Sequence, residues 1–147
     1  MSDALDFGID LEDVRQRYLG MKYFVSVTDI QAATEILRDP DAMGFVPPAA
    51  FVSIASETAE PNKTIGGHAQ RVNVTLSILF AVPSARLDHG ADDEVEQTRK
   101  AVIRMGLAWR PKGAAAALDY QRYLLRASGQ GLVWGEVLFS TSYQLRV

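Results

Sequence analysis

Between residues 71 and 82 an apolar side chain falls on every second position: Val72, Val74, Leu76, Ile78, Phe80 and Val82 are separated by Arg71, Asn73, Thr75, Ser77, Leu79 and Ala81. A strand points successive side chains to opposite faces, so this period of two specifies a strand with one face in the core. The other face turns apolar only at Leu79 and Ala81. That end is expected to be covered on both sides, by a helix or by a neighbouring subunit.

Upstream, Leu11, Val14, Tyr18 and Leu19 share one helical face, with Asp10 placed as N-cap and Gly20 as C′. Tyr23–Val27 is β-branched and aromatic and reads as a strand, and Thr28-Asp29 can cap a second helix over Ile30–Arg38, stopped by Asp39-Pro40-Asp41. Because Pro47 and Pro48 donate no ladder hydrogen bond, pairing is expected to begin around Phe51–Ala55. Residues 56–70 show no period and read as a long mobile arm that orders on assembly.

After Pro83 and a loop to Gly90, Asp92-Asp93-Glu94 open a helix that runs through Val95, Thr98, Val102, Ile103 and Met105 to Gly106. Acids at its start, basic Arg99, Lys100 and Arg104 towards its end, and a Glu96–Lys100 pair complement the helix dipole, so these carboxylates read as structural. Leu118–Ala127 and Leu132–Val147, joined at Ser128-Gly129-Gln130-Gly131, read as a hairpin. The layout is an α+β fold in one domain spanning 1–147: a mostly antiparallel, twisted sheet with helices packed on one face. A chain of 147 residues with 48% hydrophobic side chains can close such a core without staples.

Familiar chemistry finds no foothold. The absence of cysteine excludes disulfides, thiolate metal sites and cysteine nucleophiles. His68 and His89 lack ligand spacing, so no metal is expected, and no catalytic or cofactor-binding residues are assigned. Serines sit in no nucleophile elbow, Lys63 lies in no phosphate loop, and Gly129-Gln130-Gly131 lacks the rest of a dinucleotide fingerprint. The segment Met1–Asp6 has no signal-peptide character and no stretch reaches roughly 18 apolar residues, so no membrane partner is expected.

The net charge of −3 conceals an asymmetry. Residues 1–60 carry 11 acids and 4 bases, whereas 61–147 carry 7 acids and 11 bases. Copies meeting head to tail through complementary faces would use that difference, and interspersal of both signs on one folded surface accounts for it equally well. A pI near 5.3 disfavours tight DNA binding.

The order of the 71–82 strand, the charged helix, Gly106-Leu107-Ala108-Trp109-Arg110-Pro111, Tyr120, a glycine-containing turn and Trp134 through Phe139-Ser140-Thr141-Ser142-Tyr143 resembles the phage tail terminator proteins over residues 70–147. Ala108 stands where many relatives carry glycine. The resemblance implies a structural virion protein that forms a homo-oligomeric, hexameric ring, caps the tail tube and stops its polymerisation. It also implies a junction with a neck or head-completion protein. Genomic DNA would pass through the lumen without sequence-specific binding. Assembly would take place in the host cytoplasm, and the protein would end in the virion tail.

Alternatives are another connector, neck or tube component and, from a different class, a small cytosolic α/β enzyme with a pocket between sheet and helices. Expected subunit or partner contacts are Glu57, Glu60, Lys63 and His68 in the arm, Arg86, Asp88, Asp92 and Asp93 in an acidic loop, and Arg122 and Arg126 as partners for acids of the first half. Trp109, Pro111, Trp134, Phe139 and Tyr143 are expected to anchor the fold.

Overall fold

The computed structural model describes residues 7–39, 44–83, 90–129 and 131–146, with the side chains of 90–92 also outside the described set. Its elements run α1 (Leu11–Leu19), β1 (Ser26–Asp29), α2 (Ala33–Arg38), β2 (Ala49–Ala59), β3 (Ala69–Pro83), α3 (Gly90–Gly106), β4 (Asp119–Gly129) and β5 (Leu132–Arg146). The five strands form one sheet in the order β1-β2-β3-β5-β4, antiparallel except for the parallel β1–β2 pair. The α+β class and the order of helices and strands match the expectation from sequence.

The alternation in β3 builds the main core. Leu76, Ile78, Phe80 and Val82 join Ala50 and Val52 of β2 and Val137 and Phe139 of β5 in one buried cluster with Val14 and Tyr18 of α1 and Val102 of α3. Asp10 caps α1 as expected, accepting from the main-chain N–H groups of Glu12 and Asp13 at 3.0 and 3.4 Å. Gly20 keeps right-handed geometry instead of the left-handed C′ conformation, and Lys22 takes the positive φ of 60° that turns the chain into β1.

The helices do not all share one face. Ile36 of α2 is buried with Ala49, Phe51, Leu79, Ala81 and Trp134, the side chains that point away from the main core. Leu79 and Ala81 therefore receive their second cover from α2, while α1 and α3 occupy the opposite side. This helix is shorter than expected. Asp29 stays in β1, in register with Val52, and the Ile30 N–H continues to the Val52 carbonyl, so neither Thr28 nor Asp29 is free to act as its cap. Pro40 and Asp41 lie outside the described residues.

The expected arm is largely sheet. Antiparallel pairing of β2 with β3 runs out to Ala59↔Val72, with a bulge between Ile54 and Ser56, so the connection shrinks to residues 60–68. The Ala108 position has a physical reason to prefer glycine: its φ is 64°, a left-handed conformation that costs an L-residue roughly 1–2 kcal/mol. Pro111, Trp134, Phe139 and Tyr143 are buried. Trp109 is only half-buried, because the Arg17 guanidinium lies 5.0 Å above its ring in place of further core.

Candidate functional site

Two groups of expected contact residues emerge at different parts of the sheet. The first is the β2–β3 hairpin. Glu57 lies on its stem, Glu60, Lys63 and His68 in its connection, and Lys63 and His68 are exposed. The tip is organised by Asn62, whose side-chain oxygen accepts from the Thr64 and Ala69 N–H groups at 3.2 and 3.0 Å and whose amide donates to the Gly67 carbonyl at 3.3 Å. Gln70 and Asn73 hold Glu60 through its main-chain carbonyl and its carboxylate at 2.8 and 3.0 Å. His68 Nε2 meets Gln70 Oε1 at 2.6 Å.

Glu57 is tied to the body of the fold. The Tyr143 phenol donates to its carboxylate at 3.1 Å, and burial together with that neighbouring acid raises the phenol above its ordinary ionisation range. These contacts make the hairpin a continuation of the sheet with a closed tip.

The second group lies on β4, an edge strand whose 11 residues are mostly exposed. Arg122 is exposed there, and both Gln121 and Arg126 fall at register shifts against β5. Such bulges twist an edge and blunt unwanted pairing, although a long edge still offers unpaired main-chain groups to another chain. Within the protomer Arg126 approaches Glu136 at 3.6 Å, an acid of the second half of the chain. Glu136 is buried and also accepts from the Ser77 hydroxyl at 2.5 Å. The sequence reading missed this cluster. Its signal was an acid on a strand between Trp134 and Leu138, where an apolar residue would fit the alternation.

The acidic-loop expectation is covered only at its end. Asp93, near the start of α3, is exposed, whereas Arg86, Asp88 and the Asp92 side chain lie outside the described residues. Among the described residues no group of three or more His, Cys, Asp or Glu side chains could hold a metal ion, and no helix is long and apolar enough to cross a membrane. Open concavities among the described residues include a polar groove bounded by Arg71, Asn73, Asp119 and Gln121, and a cleft of about 680 Å³ lined by Leu11, Asp29, Ile30, Gln31, Glu35 and Ile54.

The described residues thus form a sheet with a hairpin at one end of β2 and β3 and a long exposed edge at β4. The family model for phage tail terminator protein matches residues 8–147, which takes in every element of the fold. The chain belongs to that family. No curated protein matches it. As a phage tail terminator the protein has a structural role in the virion tail, where it meets tail-tube and head-joining components.

Proposed function

We propose that the protein closes into a hexameric ring on the last ring of the tail tube, halts tube polymerisation there, and presents its other side to a neck or head-completion protein. The observation that carries this reading is the family match over residues 8–147. The fold supports it with two dissimilar assembly elements, a hairpin with a hydrogen-bonded tip and a long bulged edge strand. Unlike surfaces on one protomer suit a heterologous contact, which closes into a ring when the rotation between copies fits.

Genomic DNA passes through the lumen without being held. The net charge of −3 suits that passage, since clustered basic charge would bind phosphates through counterion release. Assembly takes place in the host cytoplasm before the protein is carried in the tail. Native mass spectrometry of the protein alone and mixed with purified tail tubes, with negative-stain images of the same samples, tests the reading. Six copies in a ring, or six gained only at a tube end, are expected; a monomer that ignores tube ends would overturn it.

A further inference from the structure

Among the described residues Ile65 is the most exposed large apolar side chain, and it sits on the closed tip of the β2–β3 hairpin. The Asn62 bonds to Thr64, Gly67 and Ala69 fix the chain on both sides of it, so the tip is presented with little conformational freedom left to lose on binding. Lys63 is the single charged residue between 61 and 70, with histidine counted as neutral, and it lies two positions from Ile65. The tip thus combines a lone apolar anchor with one positive charge.

A surface of matching character lies where α1, β1, α2 and β2 meet. Leu11, Ile30 and Ile54 are half-buried in a cleft of about 680 Å³, and exposed Asp29 and Glu35 share that lining with Gln31. The adjoining register shift between Ile54 and Ser56 bends β2 beside the cleft. On α1, Arg15 bonds Glu12 at 2.8 Å and the Val27 carbonyl at 3.2 Å and lies within the field of Asp29, which leaves Glu35 as the acid further from a base of its own copy. An apolar floor with acids beside it complements an isoleucine with a lysine beside it, in polarity and sign.

We infer that Ile65 of one copy seats in the Leu11–Ile30–Ile54 cleft of the next copy, with Lys63 beside Asp29 and Glu35. The inference rests on the head-to-tail ring proposed above and names the contact that builds it. Because donor and acceptor surfaces differ, every copy uses both, and repetition of the contact propagates around the ring.

The chain has no cysteine, so a double variant carrying Ile65→Cys and Gln31→Cys contains the only thiols. Oxidised under conditions where native mass spectrometry shows rings of the unmodified protein, alone or on purified tubes, the double variant is expected to give a ladder of covalently joined copies on a non-reducing gel. Neither single variant should give more than a dimer. Lys63→Glu is expected to lower the ring population several-fold at low salt, and adding Glu35→Lys should restore it. Both charged residues are exposed, so an unchanged Tm is the control for folding. Undiminished rings from Lys63→Glu with no ladder from the cysteine pair overturn this contact and leave the ring standing. If the unmodified protein forms no ring even at tube ends, the ring and the contact fall together.

Discussion

The Tyr18 phenol of α1 donates a 2.9 Å hydrogen bond to the Val102 carbonyl of α3, and both residues are fully buried. The bond links two helices 84 residues apart in sequence on the same side of the sheet. Tyr18→Phe keeps the ring and removes the bond, with an expected loss of about 0.5–1.5 kcal/mol. Urea unfolding of the two proteins measures it. Burial raises the phenol's ionisation well above its ordinary value of 10.0. Its contribution is therefore fully present below pH 10.0 and declines as pH rises beyond that value, because the unfolded chain releases the proton first.

Gly135 lets two aromatic side chains approach β5. A Cβ there would lie 2.5 Å from Phe80 Cζ and 2.8 Å from the Tyr123 phenol oxygen, and the two rings stack at 6.3 Å. Neither ring can move aside without disturbing its neighbours, so Gly135→Ala is expected to cost about 1–3 kcal/mol through overpacking. A denaturant midpoint equal to that of the parent would show that the strand shifts without penalty.

Ala108→Gly should act in the opposite sense. Relief of the left-handed strain at φ 64° is worth roughly 1–2 kcal/mol, against about 0.4–1 kcal/mol for the extra freedom glycine gives the unfolded chain. The expected net effect is a gain of between zero and about 1.6 kcal/mol, visible as a higher Tm. A lower Tm would show that the Ala108 methyl makes compensating contacts.

These sites also mark what sequence can reveal. The 71–82 strand, α1 and α3 were readable because burial on one face leaves a period in the apolar residues. The outer half of β2 was not: Ser56–Ala59 are exposed, so their pairing with β3 leaves no alternation to read. Helix α2 is shorter than its capping signals imply because Asp29 and Ile30 continue main-chain bonding to β2, a tertiary competition that local capping rules cannot register. In the candidate site, Glu57, Glu60, Lys63 and His68 are close in sequence and could be grouped directly. Glu136 with Arg126 requires the β4–β5 register, and the Leu11–Ile30–Ile54 cleft requires the parallel β1–β2 pair.

Strong acid should weaken the exposed face of α1. Hydrogen bonding from Arg15, and secondarily from Gln16, lowers Glu12 from 4.5 to about 2. A depressed carboxylate contributes above its unfolded value, so this contribution is present above pH 4.5 and is lost as pH falls towards about 2. A carboxyl-detected NMR titration should place the Glu12 midpoint near the lower value, and Arg15→Gln should move it back up. A Glu12 midpoint that ignores this substitution would remove the Arg15 bond as its cause.

Arg122 and Arg126 separate assembly from stability. Arg122 is exposed on β4, so Arg122→Glu is expected to change stability by less than about 0.5 kcal/mol while impairing ring formation. Arg126 faces the buried Glu136 carboxylate at 3.6 Å with its side chain 31% exposed. Arg126→Gln should therefore cost about 1–2 kcal/mol, less than the roughly 3–5 kcal/mol of breaking a fully buried pair, because solvent already screens the guanidinium. Arg126→Glu places two acids together, so lost rings from that variant would confound misfolding with a broken interface. Equal Tm for Arg122→Glu and the parent, with fewer rings by native mass spectrometry, would assign Arg122 to the contact between copies. Intact rings would remove Arg122 from that contact and leave the hairpin as the surface to probe.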